Sequence, residues 1–196
     1  LNVDSRGKIS LEELSNSINK NTQLVTIMHV NNEMGIIQDI ESIGRIVKEN
    51  SSRAKFHVDA VQSYCKNLID VKKCNIDLLS SSAHKIHGPR GVGAVYVKKG
   101  LIPRPLIAGG GQERSFRSGT ENLPAICGMA EAAKIMYNNM GENYKKVLDV
   151  KKHFIDNLEE IPDMKVNSPL DENFSPYILS ISFRGVRGET LLHGLE

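Results

Sequence analysis

The sequence predicts an α/β protein: a mostly parallel sheet with flanking helices, followed by the start of a smaller α+β domain. Three observations carry this. A strongly apolar run, Leu24 to Val30, is followed by helical spacing at Ile36, Ile40, Ile43 and Val47, and then by a second short run, Lys55 to Val58. Strand, helix and strand at that spacing make a crossover, and crossovers join parallel strands. Each run gives way to polar residues, Asn31-Asn32-Glu33 after the first and Asp59 after the second. Further on, the apolar run Ile76 to Leu79 and the β-branched run Val92 to Val97 flank a turn crowded with serine, histidine and glycine.

Taken in order, Leu1 to Lys20 is an entry segment in which Ser10 and Glu13 have capping-box spacing and Leu11, Leu14 and Ile18 share a helical face. Leu24 to Val30 reads as a buried strand and Asn31 to Gly35 as a polar loop. The helical pattern from Ile36 runs to about Asn50, and Lys55 to Val58 is the next strand. The runs on either side of the serine-rich turn are both expected to be buried strands. Gly100 to Pro105 is a loop, and the glycine-rich stretch from Gly109 to Asn122 is another. Pro124 suits the first turn of a helix whose face is Ile126, Met129, Ala130, Ala133, Met136 and Met140; the methionines read as core filler. Tyr144, Val147, Leu148, Phe154, Ile155 and Leu158 continue the helical pattern past Gly141. A domain boundary is expected near Ile161-Pro162-Asp163, dividing 1–161 from 162–196. Beyond it, Met164 to Val166 is a short strand and Ser168 to Ser175 a polar loop. Tyr177, Leu179, Ile181 and Phe183 alternate with Ser180 and Ser182 as a half-buried strand. Gly185 to Gly188 is a turn, and a helix begins at Glu189.

Composition narrows the function. A net charge of +2 with 5% aromatic residues offers no basic field for nucleic acid. No apolar run is long enough to span a bilayer and no signal peptide is recognisable, so no membrane role is expected. Cys65, Cys74 and Cys127 are odd in number and fit no metal spacing, which leaves free thiols in a reducing, cytoplasmic compartment and no metal site. Leu1 in place of Met, and a last helix that stops at Glu196, read as cuts through a longer protein.

The chemistry concentrates at Ser80-Ser81-Ser82-Ala83-His84-Lys85-Ile86-His87-Gly88-Pro89. A single lysine there is hemmed in by hydroxyls, histidines and a Gly-Pro that cannot continue a helix. A lysine with little water around it spends part of its time as the neutral amine, which attacks carbonyls. In parallel sheets ligands bind beyond the carboxyl ends of strands. Asn31, Asn32, Asp59 and the Lys85 turn all fall in that zone. A lysine that forms a Schiff base with pyridoxal phosphate (PLP) needs a carboxylate to keep the ring nitrogen protonated, and Asp59 is the best-placed one. Gln62, three residues on, is expected on the first turn of a helix, within reach of the ring hydroxyl. Ser82 and His84 flank the lysine as phosphate donors. Taken one at a time, Asp59 reads equally well as a helix cap, His84 as a turn histidine and Asn32 as a turn former. The glycine loops with Arg114, Arg117, Ser118 and Thr120 suit either an anion or a plain surface loop.

Five stretches together resemble one family: Met28-His29-Val30-Asn31-Asn32-Glu33-Met34-Gly35, His57-Val58-Asp59-Ala60-Val61-Gln62, Ser82 to Pro89, Gly109 to Glu113, and Arg117 to Asn122. The chain is similar throughout to the NifS/IscS-like cysteine desulfurases of the class V aminotransferase superfamily. The resemblance implies fold type I of the PLP-dependent transferases, with 1–161 as part of the large PLP-binding domain and its long connecting helix, and 162–196 as the start of the small domain. It implies that Lys85 is the PLP Schiff-base lysine, with His84 beside it in the catalytic turn. Asp59 would pair with the pyridine nitrogen and Gln62 with the ring hydroxyl, while Ser82 and His84 would bind the phosphate. Thr120 would reach the phosphate of the other subunit of a homodimer, and Asn32 would lie near cofactor and substrate. The implied reaction converts L-cysteine to L-alanine and leaves the sulfur as a persulfide for an iron–sulfur scaffold or another acceptor protein.

The departures from the family pattern are specific. The loop bearing the nucleophilic cysteine, the arginine for the substrate carboxylate and the histidine that stacks on the ring are not in these residues, so residues 1–196 alone are expected not to desulfurate cysteine. Cys65 stands where the family usually has glycine; it is expected on a helix leading away from the ligand edge. Another class V enzyme, a selenocysteine lyase or an aminotransferase, is the nearest alternative. A phosphate-binding module is the third reading, weakened because Gly88 to Gly93 is not a P-loop.

Overall fold

The computed structural model describes residues 1–158 and 160–196. They form two compact units: a sheet unit of residues 11–29 and 39–140, and a mixed unit of residues 1–10, 30–38 and 141–196.

The sheet unit contains α1 (Leu11–Ser17), β1 (Leu24–Met28), α2 (Ile40–Asn50), β2 (Lys55–Asp59), β3 (Leu78–Ser82), β4 (Gly93–Val97) and α3 (Leu123–Asn138). The strands stand in the order β1-β2-β3-β4. β1, β2 and β3 are parallel, so Met28, Asp59 and Ser82 end at one edge of the sheet; β4 runs antiparallel to β3. Along β2 the side chains alternate, with Phe56 and Val58 fully buried and Lys55, His57 and Asp59 half-buried on the other face.

α2 begins later than its apolar spacing predicts. Asp39 caps it, its Oδ1 accepting from the Ser42 N–H at 3.0 Å, and Ile36 lies outside the helix. The buried stripe is Ile40, Ile43, Gly44 and Val47. At Gly44 the helix crosses the backbone of Cys74 so closely that a Cβ would stand 1.9 Å from the Cys74 carbonyl oxygen. Pro124 does lie in the first turn of α3, behind an Asn122 cap. β4 corrects an expectation: it is exposed along nearly its whole length, with Val95 at 55%. It forms one side of the four-stranded sheet, and nothing among the described strands pairs with its outer edge.

His29, directly after β1, is almost fully buried, and its Nδ1 has no hydrogen-bond partner among the described residues. Burial lowers its pKa from 6.5 to about 4. The unfolded chain therefore takes up a proton there at a higher pH than the folded one. Stability contributed by the neutral ring is complete above pH 6.5 and is lost as the pH falls toward 4, by roughly 3 kcal/mol. Urea unfolding between pH 7.5 and 4 is expected to show this slope, and His29→Leu is expected to flatten it.

The mixed unit holds α4 (Met140–Asp156) from Gly141 onward, β5 (Met164–Val166), β6 (Ile181–Phe183) and α5 (Gly188–Leu195). β5 and β6 pair antiparallel. The alternating run from Tyr177 forms a strand only at Ile181–Phe183; before it, the Ile178 N–H turns back to the Ser175 carbonyl at 3.4 Å. Ile36 and Ile37 join this unit as short bridges to Phe174 and Val30.

Candidate functional site

At the carboxyl edge of β1–β3, Asp59 stands in register with Met28 on one side and Ser80 on the other. It is half-buried, and its Oδ1 accepts from the Val61 N–H at 3.0 Å. This is a turn contact, not a helix cap, because no helix follows. Residues 61–66 form successive tight turns in which the Ala60 carbonyl accepts from the N–H groups of Ser63 and Tyr64 at 3.0 and 2.7 Å. Gln62 therefore sits on a turn and not on the first turn of a helix. Cys65 is likewise not helical; it has a left-handed φ of 56°, a position that favours glycine.

β3 delivers the second group. Ser82 Oγ lies 2.7 Å from His84 Nδ1, at the head of a single tight turn, Ala83–Lys85. The direction of this bond follows the imidazole tautomer: with Nδ1–H donating, the Ser82 O–H is left for an outside acceptor, and with the hydroxyl donating, the His84 Nε2–H is. The Ala83 carbonyl closes the turn by accepting from Ile86 and Gly88 at 3.0 and 2.9 Å. Ile86 is fully buried against Cys65 and Met136, which ties the Lys85 turn to the turn carrying Gln62. The expectation that Lys85 is starved of water is corrected here. Lys85 and His84 are both exposed, while Ala83 and Ile86 of the same turn are fully buried.

Two groups in this region went unread in the sequence. The His57 ring bridges two strands, Nδ1 to Thr26 Oγ1 at 2.6 Å and Nε2 to Ser80 Oγ at 3.2 Å, on the face shared with Asp59. Burial lowers its pKa and the Asp59 charge opposes that. Period-two alternation places His57 and Asp59 on one face, and that was the available signal. Lys66 has its pKa lowered by burial, with a further contribution from the Lys85 charge, so the two ammonium groups are electrostatic neighbours. Nothing local in the sequence announces that pairing.

The remaining candidates are placed separately. Thr120 is exposed on a loop that folds onto itself: Ile107 bridges Arg117, and Gln112 Oε1 accepts from the Gly119 N–H at 3.3 Å. Asn32 belongs to the mixed unit, on a turn built by its neighbour. Asn31 Oδ1 accepts from the N–H groups of Glu33 and Met34 at 2.9 and 2.8 Å, and Asn32 is left exposed. Cys65 and Cys74 are buried, with thiol pKa values raised by that burial; Cys127 is exposed on α3. A cavity of about 480 Å³ opens among Tyr64, Cys65, Leu79, Tyr96 and Tyr137, and none of the candidate residues lines it. Among the described residues no cluster of ligating side chains could hold a metal, and no helix is long and apolar enough to cross a membrane.

The residues at the sheet edge thus combine a carboxylate, a hydroxyl paired with an imidazole, and an exposed amine. Known proteins resemble the chain along its whole length. The chain is 44% identical over 198 residues to a protein of Clostridium botulinum named cysteine desulfurase IscS, covering 100% of this chain and 49% of that one. It is 43% identical over 197 residues to a NifS/IcsS protein homolog of Lactobacillus delbrueckii subsp. bulgaricus, covering 100% of this chain and 51% of the relative. The chain therefore spans about half the length of the curated relatives it matches. Among solved structures, a NifS-like protein superimposes with a TM-score of 0.93 at 44% identity over 98% of this chain and 53% of its own. DndA from Streptomyces lividans does so at 0.82 and 33%, over 97% of this chain and 54% of its own. The fold is that of these NifS-like proteins, and the family model described as aminotransferase class-V matches residues 1–196: the chain belongs to the class V aminotransferase family.

Proposed function

We propose that these residues form part of a PLP-dependent cysteine desulfurase, which takes sulfur from L-cysteine, releases L-alanine and passes the sulfur to an acceptor such as an iron–sulfur scaffold protein. The observation that carries the reading is the meeting of Asp59, the Ser82–His84 pair and Lys85 at one edge of three parallel strands. The donor set suits the cofactor: a carboxylate for a cationic ring nitrogen, a hydroxyl–imidazole pair for a phosphate, and an amine for an aldehyde. When bound, pyridoxal phosphate supplies an electron sink that weakens bonds at the substrate carbons.

The roles of the chain's own residues are proposed as the resemblance implies them. Asp59 keeps the ring nitrogen protonated, and Gln62 donates toward the ring hydroxyl oxygen. Ser82 and His84 hold the phosphate, Thr120 does so for the partner subunit of a homodimer, and Asn32 lies toward the substrate. Lys85 anchors the cofactor and then, as a free amine, moves protons. The domain division is proposed as 1–161 and 162–196, as the resemblance implies. No cysteine of the chain is assigned as the sulfur nucleophile. Persulfide chemistry needs an accessible thiolate, and burial works against that at Cys65 and Cys74, while Cys127, exposed on α3, does not match the family's nucleophile motif.

The direct test supplies PLP and L-cysteine to the intact protein that contains residues 1–196 and follows alanine and sulfide. Equimolar alanine and transferred sulfur are expected; no alanine would refute the reading. Asp59→Ala removes the ring's charged partner and is expected to cost roughly 1.5–3 kcal/mol of transition-state stabilisation, the worth of a charge-assisted hydrogen bond. Turnover and the cofactor absorption spectrum check it together, and a variant normal in both would remove Asp59 from this role.

A further inference from the structure

α4 is a 17-residue helix whose buried residue is a lysine. Lys151 is 4% exposed. A buried ammonium is tolerated only where acceptors replace its water. Here its Nζ donates to the backbone carbonyls of Ser175 and Ile178, at 3.2 and 3.1 Å. Burial pushes the pKa of this ammonium down and the Asp171 carboxylate works against that push.

The segment it grips is the meeting point of the mixed unit. Arg6 pairs with Asp171 and lies 5.2 Å from the centre of the Phe174 ring. The Ile37 N–H donates to the Asn173 carbonyl at 2.8 Å, and the Ser175 N–H donates to the Gly35 carbonyl at 2.8 Å. Gly35 closes the Asn31 turn, donating to the Asn31 carbonyl at 3.0 Å, and has a left-handed φ of 77°. A Cβ there would stand 3.0 Å from Ile178 Cβ. Lys151 thus grips Ser175 and Ile178, and both press on the residue that shapes the turn bearing Asn32.

The geometry points to Lys151 as a positioning residue for the Asn31–Gly35 turn, holding Asn32 in its exposed presentation through Ser175, Ile178 and Gly35. The inference rests on the reading of Asn32 as a residue of the cofactor and substrate site. Lys151 touches none of the proposed catalytic groups. Its effect is to fix the Asn31–Gly35 turn, through a buried donor that binds carbonyls on a segment distant in sequence from that turn.

The test uses the intact protein with Lys151→Met, which keeps the stem and removes the donors, and Lys151→Arg, which restores them. With Lys151→Met, amide exchange at Gly35 and Ser175 is expected to quicken about tenfold, the worth of one net hydrogen bond, while β2 is unchanged. KM for L-cysteine is expected to rise by a similar factor with little change in kcat, and Lys151→Arg is expected to recover most of both. Unchanged exchange at Gly35 would overturn the proposal. So would faster exchange with KM and kcat both normal, which makes Lys151 a structural residue only. If Lys151→Met fails to fold, Lys151→Arg and Lys151→Gln carry the same two measurements, with Gln expected to fall between wild type and the full loss. A wild-type protein that releases no alanine refutes the desulfurase reading, and amide exchange then decides whether Lys151 holds the turn.

Discussion

Replacing Lys85 with alanine is expected to abolish covalent attachment of pyridoxal phosphate and to lower turnover by about 10²–10⁴-fold or more, the range for losing a positioned proton-transfer group. The reason is positional. Lys85 ends a tight turn anchored by Ala83 and Ile86, so its backbone is fixed while its side chain is exposed. A rival amine nearby is Lys66, which burial disfavours as an ammonium and which feels the Lys85 charge. An amine whose ammonium form is disfavoured competes for an aldehyde, which makes the experiment discriminating. Borohydride reduction of the PLP-loaded intact protein, followed by peptide mapping, is expected to place the pyridoxyl group on Lys85. Label on Lys66 would transfer the role across the Cys65–Ile86 contact.

The second large effect concerns folding. Gly44→Ala puts a methyl group where the Cys74 carbonyl oxygen already stands, 1.9 Å from the new Cβ, with the Phe56 ring edge at 3.2 Å. The obstacle is backbone, so no rotamer change relieves it. Either α2 lifts off β2 or the turn before β3 moves, and both uncover the fully buried Phe56 and Ile43. Overpacking in a core typically costs about 1–3 kcal/mol when side chains can adjust. Here the cost is expected at or above the top of that range, against a total stability of about 5–15 kcal/mol for an ordinary domain. A fall in the urea midpoint of that size, with an unchanged slope, checks it. Gly44→Ala with wild-type stability would mean that α2 and the Cys74 turn are not in this contact.

Much of this arrangement is legible in the chain because it rests on local pattern. The strand–helix–strand spacing gave the parallel pairs, and the abrupt polarity at Asp59 marked a strand end. What escaped was decided by partners far away in sequence. Ile36 keeps helical spacing with Ile40, but Asp39 caps α2 and Ile36 pairs with Phe174 instead. The turn after Asp59 looks helical until the left-handed Cys65 is seen packing under Ile86. The β-branched run in β4 promises burial that its place at the side of the sheet denies. Serine and histidine content suggested a dry lysine, yet those side chains bond to one another and to strands, leaving Lys85 in the open. The candidate site was readable as a list of residues. Its supports, His57 and Lys151, were not, because their partners lie on other strands and loops.

The turn bearing Lys85 is fastened at both ends within one sheet, since Ser82 and Gly93 are opposed in the β3–β4 ladder and the Ala83 N–H meets the Val92 carbonyl at 3.1 Å. Between those fixed points residues 83–92 form a short closed loop. The entropy of closing such a loop is spent once, when the ladder forms. A ligand arriving at Lys85 therefore meets a backbone with little freedom left to lose, and only the lysine side chain's own rotamers must be ordered. The antiparallel return of β4, exposed as it is, sets the entropy that binding at this edge must overcome.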